Sequence, residues 1–528
     1  MSVQPVLISG QWRPAKLTKT FRPENPATGE PLPDEFPISS WSDCDDALSA
    51  AFEAAEVLRA APPEQIAKFL TCYAERIEAR SNDLVESAHL ETGLPKTPRL
   101  VTVELPRTTN QLRQAAAAAL EGSWALPTID TKTNIRSMFV PAGPVVVFGP
   151  NNFPFAFNGV CGGDFAAAIA AGNPVIGKAH PGHPTTTRLF AEEGLAAIRE
   201  AGLPPATLQV IYKISPEDGL RLVGDHRLAA TAFTGGRAGG LRLKAAADTA
   251  GKMIYLEMSS VNPVVILPGA LAENGAKIAE EFTGSCLAAS GQFCTNPGLV
   301  ILMGGETTEQ FITEVAKKFA AAPVAPLLSA AVWRGLQTST EILQKAGAKL
   351  VAGGKPVNGA GYRFENTLLR VSGAQFLAES NALQTEAFGN SSLFVVAHDP
   401  GEVMSIFERL EGNLTGAFYS GNNGSDDKLY EQLAPLLRPR VGRLLNDKMP
   451  TGVAVVASMN HGGPFPATGH AGFTSVGIPS SLRRFAVLQC FDNVRPHRLP
   501  SALQNKNPNG RMWRLIDGGW SQGDVVGG

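Results

Sequence analysis

The stretch "MFVPAGPVVVFGP", residues 138–150, indicates the fold class of this chain. It is short, apolar and rich in β-branched residues, and glycine and proline bound it, as is typical of a buried strand. The stretches "PVIGKAH" (174–180), "LQVIYK" (208–213) and "LAATAFTGG" (228–236) repeat this pattern, with helix-like segments such as "TTTRLFAEEGLAAIREAG" (185–202) among them. The alternation predicts a parallel sheet with helices on both faces.

A second block of the same kind follows. Its predicted strands are "NPVVILPGA" (262–270), "GLVILMG" (298–304), "SSLFVVAHD" (391–399) and "TGAFYSG" (415–421). Residues 43–122 carry apolar side chains at helical spacing, which predicts helices before the first sheet. Because 528 residues exceed the ~250–300 that one core supports, we expect two α/β domains that meet near residue 260.

The amino-acid composition limits the partners and the cellular compartment that are expected for this chain. Hydrophobic residues make up 44% and charged residues 18% of the chain, and the formal net charge is -2, without charge blocks. Nucleic acid and anionic membranes are therefore not expected partners. The start "MSVQPVLISGQWRP" lacks the pattern of a secretory leader, and the six cysteines are scattered without a CxxC pair. We expect a soluble cytoplasmic protein with reduced thiols, without a disulfide framework or a metal site.

Several common signatures fail. The stretch "GNPVIGKA" has the glycine and lysine spacing of a Walker A loop, but Ala179 replaces the magnesium-binding hydroxyl residue. No G-x-G-x-x-G follows a strand, and no G-x-S-x-G is present. An NTPase, an ordinary dinucleotide fingerprint and a serine hydrolase are therefore not supported.

Three polar positions are candidates for chemistry. Cys294 lies in the glycine- and proline-punctuated stretch "ASGQFCTNPG" (289–298), where a packing role is the alternative. Glu257 ends the apolar strand of "MIYLEMSSVNP". Burial of a carboxylate costs free energy unless the group is paired or neutralised, so its presence here indicates a functional site. Asn152 follows a strand in "FGPNNFPFAF", where turn capping is the alternative.

The ordered series "PNNFPF", "GNPVIGKAHP", "FTGG", "LEMSSVNP", "GQFCTNPG", "EAFGN" and "HGGPFPAT" resembles the aldehyde dehydrogenase superfamily. The stretches "NNFPFAF", "KAHPGHP" and "GQFCTNPGLV" are most similar to an NADP-using branch that holds 2,5-dioxopentanoate (α-ketoglutarate semialdehyde) dehydrogenases and a bacterial fatty-aldehyde dehydrogenase. Ser259 and Ser260 depart from the Gly-Gly of many relatives, and Asn390 replaces a proline. These departures leave the identity of the substrate undetermined.

The resemblance implies a mechanism. Cys294 is the implied nucleophile, which forms a thiohemiacetal and then a thioester. Asn152 and the Cys294 backbone N–H are the implied oxyanion donors, and Glu257 is the implied general base for the deacylating water. We also expect Cys294 to be the first cysteine that iodoacetamide alkylates, because the others are predicted to be buried or inert.

The resemblance also implies a cofactor site. Lys178 would hold the adenosine ribose and Glu386 the nicotinamide ribose, and Gly235 and Gly236 would admit the pyrophosphate beside a helix start. Pro181 stands where NAD-specific relatives commonly carry glutamate, so we expect NADP, with NAD possible. The remaining implied cofactor contacts are His180, Lys213, Phe233, Thr234 and Phe388.

The implied substrate is an aldehyde, with an α-keto acid semialdehyde as the preferred candidate. Arg107 and Arg113 are candidate partners for a distal carboxylate, and ordinary solvated helix arginines are the alternative. The loop with His461 is expected near the substrate entrance. The other implied substrate contacts are Phe153, Phe293 and Thr295. Alternatives are a long-chain aliphatic or aromatic aldehyde, a CoA-dependent acylating enzyme, or a non-catalytic structural relative.

The resemblance implies the domain organisation as well. Residues 1–122 and 144–256 would form a Rossmann-like cofactor domain, and residues 257–469 an α/β catalytic domain. Residues 123–143 and 470–528 would form a small β flap for oligomerisation and a carboxy-terminal tail. A homodimer or homotetramer is therefore expected.

Overall fold

The computed structural model describes residues 3–16 and 19–525. Its helices are α1 (Trp41–Arg59), α2 (Pro63–Ala79), α3 (Ser81–Thr92), α4 (Leu105–Glu121), α5 (Gly163–Ala170), α6 (Pro184–Ala201), α7 (Pro216–Val223), α8 (Arg237–Thr249), α9 (Pro268–Leu287), α10 (Glu306–Ala321), α11 (Ala330–Lys345), α12 (Gly373–Ala378), α13 (Ser380–Leu383), α14 (Pro400–Arg409), α15 (Asp427–Leu437) and α16 (Ser480–Arg483). A π-helical segment, Lys96–Glu104, joins α3 to α4.

The strands are β1 (Val6–Ile8), β2 (Gln11–Arg13), β3 (Lys19–Phe21), β4 (Glu24–Asn25), β5 (Glu30–Pro31), β6 (Phe36–Ile38), β7 (Thr128–Asp130), β8 (Ile135–Pro141), β9 (Val145–Phe148), β10 (Val175–Lys178), β11 (Leu208–Ile211), β12 (Ala230–Thr234), β13 (Met253–Glu257), β14 (Pro263–Ile266), β15 (Leu299–Met303), β16 (Lys349–Ala352), β17 (Thr367–Ser372), β18 (Ser391–Ala397), β19 (Asn413–Tyr419), β20 (Val441–Asn446), β21 (Ala486–Asp492), β22 (Arg514–Ile516) and β23 (Gly519–Ser521).

The first large sheet has the order β13-β12-β9-β10-β11-β1-β2. The five strands from β13 to β11 are parallel, and β1 and β2 add antiparallel pairs at the other edge. The apolar strand β9 is buried along its whole length, as expected where helices cover both faces of a parallel sheet. In the register, Phe148 pairs with Lys178 and with Phe233, so β9, β10 and β12 end at the same edge of the sheet.

The helices beside this sheet follow their sequence pattern. In α2, Ile66, Phe69, Leu70 and Tyr73 are buried at helical spacing and form one apolar face. The Tyr73 hydroxyl donates to a backbone carbonyl, with Val160 O at 3.1 Å and Phe190 O at 3.0 Å. This polar contact lets a tyrosine occupy the core without an unsatisfied hydroxyl.

The second large sheet has the order β16-β17-β18-β15-β14-β19-β20. Every pair is parallel except β16 with β17 at one edge. Phe282 of α9 stacks on Phe319 of α10 with ring centroids 5.9 Å apart, and its ring meets Phe394 of β18 at 5.2 Å. This aromatic group closes one face of the sheet.

A third sheet, in the order β21-β8-β7-β22-β23, joins two distant parts of the chain. Its strands come from residues 128–141 and 486–521. Strand β21 lies at an edge of this sheet, and the residue Leu488 on it is 61% exposed. An uncovered apolar edge strand is a surface on which a further strand can pair.

These observations confirm the predicted α/β fold, with its sheets and crossing helices. The domain boundaries stay a prediction, although the first large sheet uses strands up to residue 257 and the second uses strands from residue 263. Cys161 is buried in the turn before α5. Within residues 3–16 and 19–525, no helix is long and apolar enough to span a membrane.

Candidate active site

The carboxyl edge of the first sheet places the predicted site residues together. Glu257 is the last residue of β13 and pairs in register with Thr234, the last residue of β12. The Gly235 backbone N–H donates to the Glu257 carbonyl at 3.1 Å. Lys178 ends β10, and Asn152 lies in the loop after β9. Such an edge is where open α/β sheets bind ligands.

Cys294, His461 and Glu257 form a group at this edge, which we call the trio. The His461 Nε2 atom lies 3.4 Å from Cys294 Sγ and 3.1 Å from Glu257 Oε1. His461 and Glu257 are each 2% exposed, and Cys294 is half-buried. The Ser475 hydroxyl donates to the other Glu257 oxygen at 3.4 Å. His461 therefore lies between the thiol and the carboxylate, deeper than the entrance loop that the sequence predicted.

The pKa values of Cys294 and Glu257 are shifted in opposite directions. Burial raises the pKa of the Cys294 thiol well above its ordinary value, and the negative charge of Glu257 adds to that rise. Burial also raises the pKa of Glu257, but the facing His461 outweighs it and holds that pKa below its ordinary value. At neutral pH the carboxyl group is ionised and the thiol keeps its proton. Activation of the thiol therefore requires a local proton acceptor.

The Asn152 side chain reaches across the cleft to the nucleophile segment. Its Nδ2 donates to the Gln292 carbonyl at 2.9 Å, a contact between residues 140 positions apart. The capping alternative for Asn152 is therefore wrong for this side chain. Asn262, which the sequence analysis did not single out, donates to the Cys294 and Asn296 carbonyls at 2.9 Å each and holds the nucleophile turn.

The chain enters this turn through a left-handed segment. Ala289, Ser290 and Gly291 have φ values of 45°, 55° and 68°. Such angles are costly for residues other than glycine and persist where the surroundings impose them. A Cβ placed on Gly291 would collide with the Gly389 carbonyl oxygen. The fold therefore fixes the approach of the backbone to Cys294.

A cleft of about 450 Å³ opens beside the trio. Its walls bring together many of the predicted cofactor and catalytic residues, namely Asn152, His180, Thr234, Gly235, Gly236, Glu257, Cys294, Glu386 and Phe388. Helix α8 begins directly after Gly236, and a Cβ on Gly236 would have no neighbour within 4 Å. The open helix start fits a pyrophosphate group.

Lys178 ends β10, and Lys213 is near enough for its charge to act on Lys178. Burial, and then the charge of Lys213, lower the pKa of Lys178 to about 8. Burial and the charge of Lys178 lower the pKa of His180 well below its ordinary value, so this imidazole is neutral. His183 uses its Nε2 atom on the Pro150 carbonyl at 2.9 Å. The lysines therefore carry the positive charge here.

Three further residues of the predicted cofactor site are Phe233, Pro181 and Glu386. Phe233 packs against Phe148, with ring centroids 6.2 Å apart, and lies close under Gly235. Pro181 lies in the turn after β10. Burial raises the pKa of Glu386 to about 7, and Ser259, one of the departures from relatives, donates to it. Glu386 thus titrates near neutrality.

One wall of the cleft was not anticipated. It belongs to the start of α11 and consists of Ser329, Ala331, Val332, Gly335, Leu336 and Ser339. The Ser329 hydroxyl accepts from the Val332 backbone N–H at 3.3 Å and caps the helix. The capping serine is a sequence signal for a helix start, but nothing in it indicates a ligand site.

An aromatic cluster packs against the trio, with the Phe157 ring 6.0 Å from the His461 ring between centroids. Phe153 meets Phe157 at 5.2 Å and Phe293 at 5.5 Å between ring centroids. The Arg107 guanidinium lies 5.2 Å from the Phe157 ring and 5.7 Å from the Phe153 ring. Its Nη2 is buried and has no hydrogen-bond partner among the described residues. Thr295 is buried directly after the nucleophile.

The expectation for one side chain is wrong. Arg113 does not reach this aromatic cluster, because its guanidinium pairs with Glu78 at 2.6 Å on the exposed surface. Cys490 is exposed on β21, whereas Cys294 is half-buried. The expected order of alkylation stays a prediction that has to be mapped at both cysteines.

The chain was compared with known proteins. A family described as "Aldehyde dehydrogenase family" matches residues 12–463. The chain is 37% identical over 531 residues to α-ketoglutaric semialdehyde dehydrogenase 2 of Azospirillum brasilense, which covers 98% of this chain and 99% of that protein. It is 34% identical to an α-ketoglutaric semialdehyde dehydrogenase of Acinetobacter baylyi, with 97% of each chain covered. An aldehyde dehydrogenase of Pseudomonas syringae, solved with NAD+ and octanal, has a TM-score of 0.80 at 21% identity, with 94% and 98% of the two chains covered. The chain therefore belongs to the aldehyde dehydrogenase family.

Proposed function

We propose that this enzyme oxidises α-ketoglutaric semialdehyde, or a close dicarboxylic semialdehyde, to the acid with NADP. One observation in particular supports a dicarboxylic semialdehyde as the substrate. Arg107 places a buried, unpartnered Nη2 against the aromatic cluster of Phe153 and Phe157, where we place the substrate tunnel. A distal carboxylate would supply the missing partner. The names of the two curated relatives point to the same substrate.

The chain's own residues account for the covalent steps. The Cys294 thiol passes its proton toward Glu257 by way of His461, and the sulfur attacks the aldehyde carbon. Asn152 donates to the oxyanion that forms on the carbonyl oxygen. Glu257 releases the thiol proton to solvent before deacylation. After the thioester forms, Glu257 takes a proton from the attacking water and returns it to the Cys294 sulfur, which leaves as the thiol of the free enzyme.

The cofactor would lie in the cleft between α8 and α11. Gly235 and Gly236 would admit the pyrophosphate, Lys178 would hold the adenosine ribose, and Glu386 would hold the nicotinamide ribose. When bound, the nicotinamide supplies the hydride acceptor for aldehyde oxidation. The open space at Gly236 and the polar lining of the cleft support this placement.

The substrate proposal is tested by removing the Arg107 charge. Arg107→Met keeps an apolar chain in the tunnel but loses the guanidinium. We expect kcat/KM for α-ketoglutaric semialdehyde to fall ~10- to 100-fold, because a charge-assisted hydrogen bond contributes ~1.5–3 kcal/mol. The rate with pentanal, which lacks the carboxylate, should change less than threefold. Arg113→Met is the matched control on the same helix and should leave both rates unchanged.

A long-chain aldehyde is the second candidate, and the tunnel lining favours it. Phe153, Phe157 and Phe293 form an apolar cluster with Val455 and Met459. If hexanal and longer alkanals have a higher kcat/KM than the semialdehyde, and Arg107→Met leaves both unchanged, this alternative replaces the dicarboxylic substrate.

The preference for NADP rests on Lys178, Lys213 and Pro181. The two lysines provide positive charge for a 2′-phosphate, and Pro181 places no carboxylate against it. Pro181→Glu should shift the kcat/KM ratio toward NAD, mainly through the KM for NADP. A wild-type ratio at least tenfold in favour of NAD would contradict the proposal without affecting the aldehyde chemistry.

We also propose a cytoplasmic homo-oligomer, a dimer or tetramer, in which the third sheet mediates assembly. Two observations support this. All six cysteines are free, which suits a reducing compartment. Strand β21 is an edge strand with Val487 and Leu488 exposed on its two faces, which suits a strand that pairs with another subunit.

A further inference from the structure

A buried ion pair lies behind the oxyanion side of the site. Arg99 and Glu104, both in the π-helical segment, form a salt bridge whose side chains are 8% and 0% exposed. Neither residue lines the cleft beside the trio. Isolated charges at such depth are costly, and a pair is retained where further hydrogen bonds satisfy both partners.

Each partner of this pair also holds the loop that carries Asn152. The Arg99 Nη2 donates to the Asn152 backbone carbonyl at 2.9 Å. One Glu104 oxygen accepts from the Phe155 and Ala156 backbone N–H groups at 2.8 and 3.0 Å. Three backbone groups of one short loop are therefore fixed by two charged side chains.

The same guanidinium contacts the aromatic cluster beside the trio. The Arg99 Cζ atom lies 4.4 Å from the centre of the Phe153 ring and 5.4 Å from that of Phe293. Phe153 follows Asn152, and Phe293 precedes Cys294. The guanidinium thus contacts the neighbours of both the oxyanion amide and the nucleophile by cation–π interactions.

We propose that Arg99 and Glu104 are positioning residues that set the distance between the Asn152 amide and the carbonyl oxygen held on Cys294. Neither residue touches the reacting atoms, and both act through the loop of residues 152–156. Oxyanion stabilisation depends on donor placement, and a displacement of about 1 Å can cost ~10²-fold in rate. This inference rests on the proposed oxyanion role of Asn152.

Two conservative variants test the inference, and of the two only Arg99→Lys keeps both buried charges. Arg99→Lys keeps the charge, but a single ammonium cannot reproduce the planar fork that bridges Glu104 and Asn152. Glu104→Gln keeps an oxygen for the Phe155 and Ala156 N–H groups but loses the charge that orients Arg99. We expect each variant to lower the rate of the single-turnover hydride burst at least ~tenfold, with the KM for the cofactor within twofold of wild type.

A double-mutant cycle with Asn152→Ala separates positioning from general stability. If Arg99 acts through Asn152, Arg99→Lys should cost less than twofold in the Asn152→Ala background. Equal losses in both backgrounds, or an unchanged burst in Arg99→Lys and Glu104→Gln alike, would overturn the inference while leaving the oxyanion role of Asn152 intact. A wild-type burst in Asn152→Ala alone would overturn both.

The control breaks an arginine–carboxylate pair that does not contact this loop. Arg113 and Glu78 pair across α4 and α2 on the exposed surface, with each side chain 41% exposed. Glu78→Gln should leave the burst rate and the cofactor KM unchanged. Thermal unfolding of all variants, measured with and without NADP, reports whether a lost burst reflects a lost fold.

Discussion

At the scale of single residues, His461 connects two groups with conflicting protonation. The Cys294 thiol is held neutral by burial and by Glu257, whereas the Glu257 carboxyl is held ionised by His461. A proton that leaves the sulfur therefore has an ionised acceptor within reach, through an imidazole 3.4 Å from one group and 3.1 Å from the other. From this arrangement we predict that Glu257 acts in acylation as well as in deacylation.

Replacement of Glu257 tests this arrangement. Glu257→Gln should lower steady turnover by ~10²–10⁴, because the deacylating water loses its base. The hydride burst should slow as well, because the thiol loses its proton acceptor. Rapid-mixing absorbance at 340 nm measures both phases, with Cys294→Ala as the variant that loses both and still binds cofactor. A burst at the wild-type rate would restrict Glu257 to deacylation, and unchanged turnover would remove it from the mechanism.

Lys178 predicts a pH dependence of cofactor choice. Burial and Lys213 lower its pKa to about 8, so the cationic form is present below that pH and is lost as the pH rises through it. A bound 2′-phosphate stays dianionic over this range, since its second pKa is ~6. The ratio of kcat/KM for NADP over NAD should therefore fall between pH 7 and pH 9.5. In Lys178→Arg the same ratio should stay flat, and a flat ratio in wild type would remove Lys178 from phosphate binding.

At the scale of secondary-structure elements, the segment from α9 to Cys294 is the most constrained part of the site. Three successive residues, Ala289 to Gly291, have positive φ values, and the turn that follows is held by Asn262. The geometry of the nucleophile is thus set by the backbone and not by the cysteine side chain alone.

Gly291 allows a test of this constraint. Gly291→Ala would place a methyl group against the Gly389 carbonyl at a left-handed φ of 68°, so we expect a loss of ~1–3 kcal/mol in the free energy of unfolding and a fall in turnover. Gly284→Ala, in the exposed body of α9 with no atom within 4 Å of the new methyl group, is the control. It should be neutral or stabilising by ~0.5–1 kcal/mol. Denaturant unfolding compares the two, and equal stabilities would show that the turn is not constrained.

At the scale of the whole molecule, the third sheet joins residues 128–141 to the carboxy-terminal strands and leaves β21 at its edge. Leu488 is 61% exposed there. If this edge pairs with another subunit, Leu488→Glu should shift the protein to a smaller species in light scattering coupled to size exclusion. Val57→Glu, at a 58% exposed position on α1, should keep the wild-type mass. An unchanged mass in Leu488→Glu would place the interface elsewhere.

The sequence by itself determined the alternation of strands and helices, the polar strand ends, and the family. These features are local: a strand of four apolar residues, a carboxylate at its end and a cysteine between glycine and proline are visible in short windows. Cys294, Glu257 and Asn152 were therefore identified before any fold was known, and the structure brings them to one edge of the first sheet.

Tertiary structure alone decided which distant groups meet. His461 lies 167 positions from Cys294 and 204 from Glu257, so packing of the loop after β20 places it between them. Arg107 and Arg113 belong to the same helix, but six residues correspond to a rotation of about 240°, so one reaches the aromatic cluster and the other pairs with Glu78 on the surface. The Arg99–Glu104 pair and the α11 wall likewise depend on packing between elements, because helical periodicity shows which face is buried but not what that face meets.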